Sequence, residues 1–450
     1  MAIEINKEFI ERIEELIEND EHAMIESLLI EEHPADIAEI MDQLNLNDAT
    51  YLFKLLDSER TAEVLMEIDE DDRDKILQNL SDKEIADEID ELDTDDAADI
   101  IADLPNERKE DVISAIEDKE HAKEIVELLN YNPDTAGGLM AKELVQVNEN
   151  WNIPKCIKEM RIQAHEITRV HSIYVVDDNN VLKGRLSLKD LLVTSSKSHI
   201  SDIYISKVDS VNVNDKAEDV ALIMQKYDLE AIPVVDDENH LVGRITIDDI
   251  VDFIKDEAEK DYQLAAGISQ DVEADDTIWQ LTKARLPWLF IGTLGGIGAA
   301  SIISGFQVVL SKYAELIIFI PLIQATAGNV GVQSSAIVVQ GLANNTIKGE
   351  ILHRLFKEFL LGLINGIALA FVIFMVSKFI FHTDIHISLT IGIALVTVIV
   401  NAALVGTFIP IFLDKRGIDP AVATGPFITT TNDVFGILIY FWIAKLILGF

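Results

Sequence analysis

Asp433 sits in an otherwise apolar run, the only acidic or basic residue between Asp419 and Lys445. A carboxylate at the centre of a membrane helix costs roughly 2.5–3.5 kcal/mol to insert, so it faces a partner or a watery path. Its oxygens suit a cation. Two further carboxylate groups lie upstream. DTDDAAD (93–99) sets Asp95 and Asp99 four apart on one helical face, where like charges destabilise unless a counter-ion intervenes. DDIVDFIKDEAEKDYQLAAGIS (248–269) loads another helix with Asp249, Asp252, Asp256, Glu257 and Glu259. Either cluster alone reads equally well as a solvated face; together they point to an interface bridged by cations.

Charge divides the chain. Of its 79 acidic residues only seven lie beyond Leu286, against eight of the 36 Lys and Arg, so the formal charge of −43 belongs to the part before it. Such a surface repels nucleic acid and anionic lipid and attracts cations. One cysteine, Cys156, excludes an intramolecular disulfide and a cysteine-based zinc cluster. The first residues are acidic and amphipathic, unlike a signal peptide, which places this part in the cytosol. No nucleophile–base constellation, phosphate-cradling loop or zinc motif marks an enzyme.

Five segments are long and apolar enough to span a bilayer, near 287–310, 316–342, 359–377, 385–413 and 421–444. With the N-terminus inside, Lys283, Arg285, Lys348, Arg354, Lys357, Lys415 and Arg416 flank them on the cytosolic side. Lys312, Lys378 and Lys445 fall outside, along with the C-terminus. The second span contains PLIQATAGNVGVQSSA (321–336), a poor surface for lipid. In the fifth, Gly425-Pro426 interrupts the helix, and Thr429, Thr430, Thr431 and Asn432 lead to Asp433. Small residues let helices approach, and their hydroxyls and carbonyls can face water. Helix packing alone explains Gly328, Gly331 and Ser334 equally well. Five spans are few for a one-chain pore; a two-fold axis between two copies would set two Asp433 side chains opposite each other. That pair suits a largely hydrated Mg²⁺.

Residues 1–130 read as short amphipathic helices stacked as helical hairpins, with apolar residues such as Ile37, Ile40, Met41 and Leu44 at helical spacing. An internal repeat follows. IYVVDDNNVLKGRLSLKDLL (173–192) aligns without gaps with IPVVDDENHLVGRITIDDIV (232–251). Each copy reads as strand, turn, strand, helix. The pattern resembles a tandem pair of CBS domains, which implies a sensor module that often binds adenine nucleotides such as ATP. Ser187 with Asp190, and Thr246 with Asp249, match the Ser/Thr-x-x-Asp positions that hold a ribose; helix capping explains both pairs equally well.

The order of motifs along the whole chain resembles the MgtE family of bacterial magnesium transporters: HPADIAEI (33–40), DDAADIIADLP (95–105), DTAGGLM (134–140), the CBS pair, AGNVGVQSSA (327–336) and DPAVATGPFITTTNDVFG (419–436). The resemblance implies a homodimer in the bacterial plasma membrane with five transmembrane helices per subunit. It also implies a cytosolic all-α domain, α+β tandem CBS domains, and a pore that passes Mg²⁺ and closes when cytosolic Mg²⁺ binds. By matching motifs, Asp433 is the pore carboxylate, and Gly328, Asn329 and Gly331 belong to the second-helix pore motif. Gly425 and Thr429 join the pore from the fifth helix. Glu63, Asp95 and Asp99 match sensor positions of the helical domain; Glu218, Asp228, Asp249, Asp252, Glu257 and Glu259 match those of the CBS and connecting-helix side. Ala327 and Val332 stand where familiar members carry Gly or a polar residue, and Gly425 where some carry Asn, which leaves Co²⁺ beside Mg²⁺ as a transported ion.

The expected layout is a helical domain over 1–130, CBS domains over 131–200 and 201–254, a connecting helix over 255–284 and the membrane domain over 285–450. The leading reading is a Mg²⁺ channel or transporter gated by cytosolic Mg²⁺. The alternative is a proton- or cation-coupled secondary transporter for another divalent ion or solute, with a nucleotide-sensing CBS pair.

Overall fold

The computed structural model describes residues 5–164, 167, 169–270, 272–274, 276–344, 346–347, 351–423 and 425–449. Lys348, counted above among cytosolic charges, lies outside them. The chain forms two compact units, 1–254 and 255–450.

Ten short helices, from Lys7–Glu18 to Lys119–Leu128, open the first unit. Their starts are written in the sequence: Asn6, Asn45, Asp57, Ser81 and Asp118 each cap a helix by accepting from its first free N–H groups. Helices pack against those two further along, so Pro34–Asp42 meets Ser58–Glu67, which in turn meets Asp82–Ile89. Each contributes one buried apolar edge, such as Ile37, Ile40 and Met41, to a continuous core. The expected stack of helical hairpins is thus present.

The repeat folds as two three-stranded sheets. β1 (Val145–Asn148) pairs parallel with β2 (Ile173–Val176), which pairs antiparallel with β3 (Leu182–Leu186). β4 (Val211–Asn212), β5 (Ala231–Val235) and β6 (Leu241–Thr246) repeat the order. The copies clasp each other at their turns. Asn180 and Asn239, at equivalent points of the repeat, both adopt left-handed backbone (φ 63° and 66°) that asparagine tolerates. Asn180 Nδ2 donates to the Leu241 carbonyl at 2.9 Å and Asn239 Nδ2 to that of Leu182 at 3.2 Å. Reciprocal backbone bonds, Leu182 N to Asn239 O and Leu241 N to Asn180 O, complete the clasp. Tyr174, Val176, Leu182, Val235 and Leu241 form the small core beneath it.

The second unit has five helices long and apolar enough to cross a membrane: Ile278–Gly305, Glu315–Ala343, Ile351–Phe379, Ile385–Asp414 and Gly425–Leu448. The fourth is the most buried and forms the axis of the bundle, through Ile391, Ala394, Leu395, Val398 and Ile399. Small residues let its neighbours close in. A Cβ at Gly362 or Gly366 would lie 3.1 Å from the Cα atoms of Val400 or Val396. An ion pair anchors the start of the third helix, with half-buried Arg354 3.4 Å from buried Glu358 and the Ser334 hydroxyl donating to Glu358 at 3.4 Å.

Three boundaries differ from expectation. The connecting helix, read over 248–269 and placed in a 255–284 segment, runs Ile247–Ala266, because it grows directly out of β6. The first span begins at Ile278 rather than near 287, because Thr277 and Gln280 form a capping box upstream of the apolar run. In the fifth, Gly425-Pro426 does not interrupt a helix; it begins one, with Pro426 in the first turn, where its missing N–H costs nothing.

Candidate functional site

The carboxylates of the first unit converge at the start of helix Thr94–Asp103. Asp93 occupies the cap position without using its side chain to cap. Glu143, from far along the chain, does that work: its carboxylate accepts from Thr94 N at 3.2 Å and from the Thr94 hydroxyl at 2.9 Å. The Thr94 hydroxyl accepts in turn from Lys142 N at 2.8 Å, fastening this segment to the helix. Asp93 is thereby released toward Asp95. Carboxylate oxygens of Asp93, Asp95 and Glu143 all lie within 4.8 Å of one another.

Three carboxylate oxygens at that separation are hard donors of the kind that a divalent cation such as Mg²⁺ or Ca²⁺ takes. Negative charge is crowded here, with the Arg244 guanidinium 3.2 Å from Asp93. Burial, reinforced by the charges of Asp96 and Asp249, holds the Asp95 carboxyl well above the usual range. Burial likewise pushes Asp96 up to about 7 and Asp93 up to about 6. Asp249 is raised by burial, against the opposing bonds its Oδ2 accepts from Thr246 N at 2.8 Å and the Thr246 hydroxyl at 2.6 Å.

Raised carboxyls make the metal-free fold bind protons that the unfolded chain has released, so stability falls as pH rises through the window from about 4 to 7. Acidifying a metal-free fragment of residues 1–254 from about pH 7.5 to 5.5 should therefore raise its melting temperature. Saturating Mg²⁺ should produce the same rise at the higher pH and flatten the pH dependence. A calorimetric series checks both.

Asp95, Asp99 and Asp249 thus share one neighbourhood. Glu63, Glu218, Asp228, Asp252 and Glu259 are exposed and join no carboxylate cluster among the described residues. Asp228 serves its helix as a left-handed C-cap (φ 51°). Glu257 is half-buried and pairs with Lys260 at 3.1 Å. Of the two ribose-type pairs, Thr246 and Asp249 are bonded to each other, whereas Ser187 makes no side-chain cap bond toward Asp190.

In the second unit Asp433 is half-buried, with no hydrogen-bond or ion-pair partner among the described residues. Thr429 lies one turn before it, and a Cβ added at Gly328 would come within 3.2 Å of the Thr429 methyl. Gly331 is buried against Asn432, and Gly406 against the Gly331 carbonyl, so a side chain at either would collide. Asn329 is exposed. It belongs to a stripe of exposed residues, Ala325, Asn329, Gln333, Ala336 and Gln340, spaced along one face of the second membrane helix. Gln333 lies in the run already read as a poor surface for lipid, whereas Gln340 escaped the sequence reading, although its spacing from Asn329 and Gln333 carries the signal. Lipid satisfies no amide, so this face meets water or protein.

Gly425 has a different neighbour. Helix Ile247–Ala266 ends against it: a Cβ at Gly425 would strike the Ala265 carbonyl, and one at Gly267 (φ 82°) the Pro426 ring. Ser269 ties the following turn to the first membrane helix by donating to the Ala284 carbonyl, N–H at 3.0 Å and hydroxyl at 2.9 Å.

Five helices apolar enough to cross a membrane, one carrying a carboxylate with no partner among the described residues, joined to a CBS pair and an acidic helical stack, make up a multi-pass membrane protein. Residues 320–443 match the family described as divalent cation transporter, residues 32–134 the MgtE intracellular N domain, and residues 136–196 and 200–256 the CBS domain. The chain is 39% identical to the magnesium transporter MgtE of Enterococcus faecalis over 72% of its own length and 71% of that protein's. It is 35% identical to that of Thermus thermophilus over 71% and 72%. The crystal structure of the soluble part of a magnesium transporter is similar, with a TM-score of 0.51 and 33% identity, over 56% of this chain and 99% of that one. So is the cytosolic domain of the Mg²⁺ channel MgtE in complex with ATP, at 0.50 and 33%, over 53% and 97%. The chain belongs to the MgtE family of magnesium transporters.

Proposed function

We propose that this protein conducts Mg²⁺ through a pore between two identical subunits and that cytosolic Mg²⁺ closes it. The observation that carries the reading is Asp433, a half-buried carboxylate in a membrane helix with no protein partner among the described residues. Two such groups across a two-fold axis, with Thr429 and the Asn329 face nearby, hold a hydrated divalent ion without stripping its shell. Co²⁺, of similar charge and hydration, follows the same path. The excess of positive residues at one set of helix ends supports a plasma-membrane orientation with the N-terminal unit and Gly425 on the cytosolic side.

Closure follows from electrostatics. Without metal, Asp93, Asp95, Asp96, Asp99, Glu143 and Asp249 repel one another. Bound ions offset that repulsion and favour the compact arrangement, in which the helix ending at Ala266 seats on Gly425. An ion shifts such an equilibrium only by its preference for one state, so several sites act together, including those at Glu63, Glu218, Asp228, Asp252, Glu257 and Glu259. ATP enters at the CBS pair, where Ser187 and Asp190 are the freer ribose partners; a relative's cytosolic domain crystallised with ATP supports this.

Patch recording from proteoliposomes tests the reading. Mg²⁺ currents that fall as Mg²⁺ rises on the cytosolic face are expected. Uptake driven by a proton or Na⁺ gradient and indifferent to cytosolic Mg²⁺ would instead favour a coupled transporter.

A further inference from the structure

The internal repeat places an arginine at the same point of each copy, but the two side chains live differently. Arg185 lies on β3 and Arg244 on β6. Each exchanges backbone hydrogen bonds with a neighbouring segment: Arg185 with Ile205 at 3.0 and 2.8 Å, Arg244 with Ala141 at 2.9 and 2.8 Å. Beyond that symmetry they part. The Arg185 side chain is exposed. Arg244 is only 8% exposed; its Nη2 lies 3.2 Å from Asp93 Oδ2 and its Nε donates to the Glu143 carbonyl oxygen. A guanidinium is costly to bury unless charges pair with it, and its fixed fork suits two acceptors at once. Here both acceptors belong to residues of the carboxylate trio.

We propose that Arg244 is a tethered counter-ion for the Asp93–Asp95–Glu143 trio. It holds helix Thr94–Asp103 to the 141–143 segment when no metal is bound, and by engaging Asp93 it sets the concentration at which a divalent ion takes over. The repeat supplies the control, since Arg185 shares the strand position and backbone bonding but, among the described residues, reaches no carboxylate trio. A positive charge beside Asp93 lowers the affinity of the trio for Mg²⁺ while keeping the metal-free arrangement from flying apart. The closed state therefore forms part-way before the ion arrives. This inference rests on the metal-sensing reading above.

Hydrogen exchange at the Thr94 and Lys142 amides, both of which donate into this knot, reads the effect in the full-length protein in lipid nanodiscs. Wild type should be protected in chelator and gain little in millimolar Mg²⁺. R244Q should lose at least ~tenfold of that protection in chelator and regain it with Mg²⁺, while R185Q matches wild type. Wild-type protection of R244Q in chelator overturns the inference. So does a loss that Mg²⁺ fails to restore while Mg²⁺ still alters exchange elsewhere in residues 1–254. If Mg²⁺ alters exchange nowhere in that unit of either protein, the sensing reading falls and takes the inference with it. Should R244Q not fold, R244K, which keeps the charge, is read in its place: protection retained in chelator supports the inference, and protection lost overturns it.

Discussion

Replacing Asp433 with Asn should reduce Mg²⁺ uptake by proteoliposomes roughly 100-fold or more. One carboxylate beside a divalent ion, at an effective dielectric of about 20, is worth several kcal/mol. A tenfold change in an equilibrium takes only about 1.4 kcal/mol, so such a loss compounds quickly. Asn keeps the shape and removes the charge, so folding should persist, as an unchanged elution profile in detergent would show. Asp433 has no partner among the described residues of its own chain, so the substitution leaves no buried cation stranded and the loss reports on the ion alone. D433E, which retains the charge one methylene further out, should keep measurable flux. Wild-type uptake by D433N would remove this residue from the conduction path.

Gly425→Val should yield currents that persist at cytosolic Mg²⁺ levels at least ~tenfold above those that close the wild type. Two costs combine. The backbone at 425 has φ 39°, which a β-branched residue adopts only with strain, and the new side chain would collide with the Ala265 carbonyl. Both fall on the seat of the helix ending at Ala266, whereas Asp433, deeper in the same membrane helix, keeps its place. Conduction should survive while closure suffers, a pattern that patch recordings at graded Mg²⁺ would separate from simple misfolding. Block at the wild-type concentration would mean that this seat does not govern the gate.

Much of this is legible without coordinates, for physical reasons that differ by element. The five spans and the lone Asp433 announce themselves because lipid punishes charge and unpaired backbone. The CBS pair is legible because the same turn chemistry recurs in two gapless copies, and the Asn180–Asn239 clasp is its direct result. Helices of the acidic stack declare themselves through caps such as Ser81 and Asp118. The carboxylate trio is only half visible. Asp93 and Asp95 sit in one run, but Glu143 reaches them from a distant segment, and no local spacing foretells that contact. Gly425 and Gly331 carry the opposite lesson. The motifs assign both to a pore; in the fold Gly331 also packs beneath Asn432 and Gly425 receives the end of a helix, contacts that no motif foretells, since a missing side chain serves close approach wherever that occurs.

The amide face of the second membrane helix has a consequence for assembly. Hydrocarbon supplies neither donors nor acceptors, so Asn329, Gln333 and Gln340 leave a solitary subunit with a thirst that the bilayer cannot quench. In the proposed two-fold assembly, a second copy would enclose the same groups around a shared water column. On that proposal, building the oligomer and solvating its cargo would be a single act, and no half-made conduit would be left to leak.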